Sequence, residues 1–189
     1  MSESFLSDLQ ELIACSVSLE EYNTETGKRL KKVKLVECDD SNGKEISSIE
    51  VVGLPRDTFV FKADAFPQPQ ALFNDINEVR KRADYILLAR DSDKKRIVFI
   101  EMKRTKDSKH GIVAQLHGAA CVMDYCKAVL ERFFGKNCIV GFEERFVSCI
   151  HASGKKGTHP DRTAPIHNIP EQLLKLKGHS ITYQQLIRN

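Results

Sequence analysis

A chain of 189 residues with 41% apolar and 29% charged residues is sized for one domain with a real core. Its net charge of +3 is too small to demand a nucleic-acid partner, so such a partner has to be argued from local charge. No run approaches the roughly 20 apolar residues of a membrane span. Met1-Ser2-Glu3-Ser4 lacks the basic start of a signal peptide, so a cytoplasmic location and no membrane partner are expected.

Ser4 to Ile13 reads as a helix capped by Ser4 or Ser7, with Phe5, Leu6, Leu9, Leu12 and Ile13 on one apolar face. Val17 to Tyr22 fits a strand. Gly27 to Leu35 alternates basic and apolar residues in its second half, as a half-buried strand does. Its basic residues from Lys28 to Lys34 are read as a solvated face. Asp39 to Gly43 is a turn, and Ile46–Val52 and Thr58–Phe61 are strands split by Gly53-Leu54-Pro55. After the loop Phe66–Gln70, a short helix is expected over Ala71–Lys81.

Two apolar segments follow, Ala83–Ala89 and Ile97–Lys103, joined by the polar turn Arg90–Arg96. Thr105–Gly111 forms most of a polar connection. Ile112–Phe134 carries Val113, Leu116, Ala120, Met123 and Leu130 at helical spacing, and Gly135-Lys136-Asn137 ends that helix. Ile139-Val140 and Arg145–Ile150 read as one or two strands. Ala152–Pro170 is a long polar connection with three of the six prolines. Glu171–Lys177 fits a short helix, and Ile181–Ile187 a last strand or helix. The order argues for a mixed α/β sandwich. The cysteines, 15, 38, 121, 126, 138 and 149, show no C-x-x-C spacing, and those at 121, 126, 138 and 149, within or beside apolar stretches, are expected reduced and buried.

The apolar pair carries charge at one end. If the segments pair as a hairpin, its open end gathers Asp84, Glu101 and Lys103. Alternation points Glu101 and Lys103 to the face of Ile97 and Phe99, with Ile100 and Met102 on the other. A Glu-x-Lys pair alone is most often a surface ion pair of little worth. Here the acid ends an apolar run of central character, where desolvation is costly unless an ion compensates. Two carboxylates favour a hard divalent cation such as magnesium, shared with phosphate oxygens and water. No P-loop and no G-x-S-x-G elbow is present.

An acid on one strand, a turn, then three apolar residues and Glu-x-Lys resembles the PD-(D/E)XK nuclease superfamily, and the long helix after Lys103 fits as well. Ala83 stands where the family pattern has proline. The resemblance, specific over about residues 83–134, implies a single nuclease-like domain spanning 1–189. Its fold would be restriction-endonuclease-like, an αβββαβ core with a central mixed sheet flanked by helices. It implies Asp84 and Glu101 as Mg²⁺ ligands (Mn²⁺ as substitute), Lys103 as the catalytic lysine and Gln115 as a helix-borne site residue. A further acid on the first helix is expected, with Glu11 the candidate and Glu20 and Glu21 its rivals.

The implied activity is hydrolysis of DNA phosphodiester bonds by activated water, in defence, restriction or repair. The alternative is a non-catalytic module binding nucleic acid or protein on the same fold. Arg104, Lys106, Lys109 and His110, then Lys155 and Lys156 with His159 and Arg162, are the expected backbone contacts. The expected partners are DNA, a second copy of the chain, and a larger defence or repair complex.

Overall fold

The computed structural model describes residues 5–39, 43–67, 72–74, 76–103, 108–151 and 166–188. Helix α1 (Phe5–Leu12) is followed by strands β1 (Glu20–Asn23), β2 (Arg29–Cys38), β3 (Glu45–Leu54), β4 (Asp57–Lys62), β5 (Tyr85–Asp91) and β6 (Lys94–Lys103). Helix α2 (Lys109–Phe134) leads to β7 (Glu143–Ile150), a 3-10 turn at Pro170–Gln172, β8 (Leu174–Lys177), β9 (Ser180–Thr182) and α3 (Tyr183–Ile187).

These form two mixed sheets, one of four strands in the order β1-β2-β3-β9 and one of five in the order β4-β5-β6-β7-β8. β4, β5 and β6 run antiparallel, and β7 and β8 continue parallel to β6. The β6-to-β7 crossover is α2, as a parallel connection requires.

The five-stranded sheet is the central layer. One face packs Ile86, Leu88, Ile97 and Phe99 against Leu9 of α1 and Ile112, Leu116 and Ala119 of α2. The other packs Leu87, Val98 and Ile100 against Val33, Leu35, Ile49 and Val51 of the four-stranded sheet, with Leu186 of α3. β5 and β6 are therefore apolar on both faces, which explains their unbroken apolar runs. The class is mixed α/β, but a second sheet covers the face on which a flanking helix was expected. Among the described residues only the short α3 adds helix there.

Tyr85 ties the two sheets. β1 pairs with β2 only as far as Lys32, so further along β2 that edge is open. The Tyr85 hydroxyl fills it, donating to the Val36 carbonyl at 2.7 Å and accepting the Val36 N–H at 2.9 Å. Tyr85→Phe is expected to lower stability by about 1–3 kcal/mol, because it strands both backbone groups in a half-buried site. Urea unfolding measures this, and an unchanged midpoint would mean that water replaces the hydroxyl.

Several expectations are corrected. Residues 72–74 and 76–81, the described part of that segment, form turns and bends instead of a helix, with Asn77 and Glu78 at φ +50 and +58. Residues 171–177 form the end of the 3-10 turn and β8, because pairing with β7 holds Leu174–Lys177 extended. Ile139 and Val140 lie in a turn before β7, and Ile181–Ile187 divides between β9 and α3. The hairpin turn is tighter than expected. Asp91 pairs with Lys94 around Ser92-Asp93, with Ser92 at φ +54. α2 begins at Lys109, capped by the Ser108 side chain, and closes on Gly135 in the left-handed conformation.

The basic face of β2 is solvated and paired. Lys32 lies 3.1 Å from both Glu20 and Glu50, Lys34 lies 2.8 Å from Glu45, and Arg29 pairs with Glu21. Cys126 and Cys149 are buried thiols, but Cys38 and Cys121 are exposed. No helix among the described residues is long and apolar enough to cross a membrane.

Candidate functional site

Hairpin pairing builds the site. Tyr85 pairs with Ile100, so the next residues outward, Asp84 and Glu101, meet at its open end. The Met102 N–H donates to Asp84 Oδ2 at 2.5 Å, and the Ala63 N–H donates to the Asp84 carbonyl at 2.9 Å. Asp84 is thereby held from both neighbouring strands. Glu101 and Lys103 share the α2-side face of β6, and Lys103 Nζ lies 2.7 Å from Glu101 Oε1. The Glu101 side chain is 1% exposed and that of Lys103 is 19% exposed.

This geometry strains the electrostatics. Burial pushes the Glu101 carboxyl up to about 8, aided by the Asp84 charge and opposed by Lys103. Burial also pushes Asp84 up to about 7, opposed by the Met102 N–H and reinforced by Asp64 and Glu37. Each acid thus lacks the compensation that a buried carboxylate needs. Glu101 Oε2 is buried and accepts no hydrogen bond. Such an oxygen asks for a proton or a cation.

The structure brings up three groups that sequence reasoning missed. Glu37 on β2 and Asp64 just after β4 are close enough to raise Asp84. Glu37 also accepts the Ser47 hydroxyl at 2.8 Å. Its signal was the run Val33-Leu35-Glu37, an acid at the inward parity of a strand. Ser148 on β7 is the direct cross-strand partner of Glu101, fully buried, with its Oγ unpaired. A hydroxyl donor without an acceptor thus stands beside an acceptor without a donor.

The other expected residues are scattered. Gln115 is half-buried on α2, and the Asp84 and Glu101 carboxylates take their hydrogen bonds from Met102 and Lys103 instead. Glu11 is exposed on α1, while Glu20 and Glu21 pair with Lys32 and Arg29. Lys109 and His110 are exposed at the start of α2, with His110 Nε2 3.8 Å from Glu78. Arg104, Lys106, Lys155, Lys156, His159 and Arg162 lie outside the described residues.

Among the described residues no three His, Cys, Asp or Glu side chains form a ready metal set. The donor chemistry still suits magnesium, which is commonly held by one or two carboxylates and completes its shell with water and substrate phosphate. Asp84 and the unpaired Glu101 oxygen would be its protein ligands. No family model, curated protein or solved structure compared with the chain matches it.

Proposed function

We propose that the chain is a magnesium-dependent nuclease that hydrolyses phosphodiester bonds in DNA, in a defence, restriction or repair setting. One observation carries the reading: a buried, uncompensated carboxylate oxygen on Glu101 lies beside Asp84, with Lys103 on the same strand face. An ordinary surface ion pair has no reason to bury an acid in this way.

The connectivity supports it. α1 and the antiparallel β4-β5-β6, followed by α2 and a β7 parallel to β6, follow the αβββαβ order of a restriction-endonuclease-like core. The acids then stand at the ends of adjacent central strands, beside the crossover helix.

In this reading a bound magnesium ion supplies acidified water and charge stabilisation at the phosphoryl group. The protein's own part is positioning. The Met102 N–H fixes Asp84, and the β6 backbone sets Glu101 and Lys103 on one face. Lys103 rests against Glu101 in the free protein and would offer its ammonium to a phosphate oxygen once a cation takes its place there. Cutting both strands of a duplex calls for a second copy of the chain.

The test is incubation of supercoiled plasmid with the pure protein, with and without Mg²⁺ or Mn²⁺. Metal-dependent cleavage is expected, reduced at least about a hundredfold in Lys103→Ala. Cleavage surviving in that variant sinks the reading. DNA binding without metal-dependent cleavage in the parent protein points instead to a non-catalytic binding module.

A further inference from the structure

Strand pairing continues the site across the sheet. Glu101 pairs with Ser148, and Ser148 with Lys175. One row further out, Lys103 pairs with Ile150, and Ile150 with Lys177. Paired residues share a face, so Lys175 and Lys177 project from the face that carries Glu101 and Lys103. The opposite parity agrees, because Leu174 and Leu176 pack with Ile100 and Met102 in the core between the sheets. Both lysines are exposed. Lys103 and Lys177 stand two strand spacings apart, roughly 10 Å, on one face of the sheet with half-buried Ile150 between them.

We propose that this ledge, running from Lys103 across β7 to Lys175 and Lys177 on β8, is the track on which the phosphodiester backbone of the DNA substrate lies. The proposal rests on the nuclease reading and assigns the strand its direction. The backbone crosses β6, β7 and β8 at right angles, one phosphate at the acids and its neighbours on the lysines. Charge requires something of this kind. Lys103 is already engaged with Glu101, so it is a poor sole partner for a polyanion. Two further cations on the same face supply phosphate contacts where the substrate enters. The sequence hid the ledge, because Lys175 and Lys177 approach the site only through the β7-β8 pairing.

The test is fluorescence anisotropy with a fluorescein-labelled duplex oligonucleotide, without divalent metal, over a series of salt concentrations. The ledge variant is Lys175→Glu with Lys177→Glu. The control is Lys28→Glu with Lys94→Glu, an equal charge change beside the turns at the far end of the strands. The ledge variant is expected to bind at least tenfold more weakly. Its slope of log affinity against log salt should fall by about 2, one for each lost phosphate contact. The control should stay within about threefold of the parent protein. Lys175→Gln with Lys177→Gln, which adds no repulsion, should show the same fall in slope.

Equal losses in ledge and control variants overturn the proposal, as does a ledge variant that binds like the parent. The second result would leave the lysines as guards of an edge strand against pairing. Metal-dependent plasmid cleavage run in parallel separates the two readings. Cleavage by a protein whose ledge variant binds normally overturns the ledge alone. Ledge-dependent binding without cleavage overturns the nuclease and keeps the track.

Discussion

Glu101→Gln is expected to abolish metal-dependent cleavage, by a thousandfold or so, and yet to make the protein more stable in alkali. The two effects have one origin. Glu101 titrates at about 8 in the folded protein, against an ordinary value of 4.5, because burial penalises its charge. Between those values the native state holds a proton that the unfolded chain has lost. Stability therefore declines as pH rises from about 4.5 through 8. Glutamine matches the shape of the protonated acid and never ionises. At pH 5 parent and variant should unfold at nearly the same urea concentration. At pH 9 the variant should be more stable by about 1–3 kcal/mol, after discounting the full shift for the lost attraction of Lys103. A variant equally destabilised at both pH values would show that the Lys103–Glu101 pair stabilises the fold outright, and that the buried charge is no vacancy for a cation.

Gly118→Ala should cost about 2–3 kcal/mol, although Ala is the better helix former by about 1 kcal/mol. Gly118 lies in the middle of α2 and is buried. A Cβ built there would stand 1.8 Å from the Lys81 carbonyl oxygen and 2.9 Å from its carbon. These are backbone atoms, so no rotamer change relieves the contact. The segment leading into Asp84 crosses α2 at this glycine, and the methyl group would push it away from the helix. For a chain of this length the melting temperature should fall by roughly 5–10 °C. Plasmid cleavage should weaken too, because Asp84 follows the displaced residues directly. A raised melting temperature would mean that the crossing segment moves aside at no cost.

The part of the site that could be read in the sequence is the part built locally. Asp84, Glu101 and Lys103 lie on two adjacent strands, and a period of two with a polar turn between them was enough to bring them together. Glu37 and Ser148 depend on pairings between distant segments, and a strand's own residues do not name its neighbour. The expected helix over 71–81 failed for a related reason. Composition there favoured helix, but Asn77 and Glu78 adopt left-handed backbone. The chain has to turn before it crosses Gly118. In β8, Leu174-Lys175-Leu176-Lys177 carries strand alternation, yet Leu173 and Leu174 beside Glu171 read equally well as one turn of helix. Only the open edge of β7 decides between them.

The bond from Met102 to Asp84 closes just 18 residues of chain, a far shorter span than the pairings that bring the β8 lysines to the site. Ser148 and the β8 lysines arrive through long-range pairings that wait for α2 to be laid down, and such contacts form late. With that order of formation the two carboxylates would meet while still hydrated, and the later strands would dry them. If the site takes the proposed divalent ion, one present at that stage would be captured by an open hairpin and walled in afterwards. Metal added before folding should consequently load faster than metal offered to the finished protein.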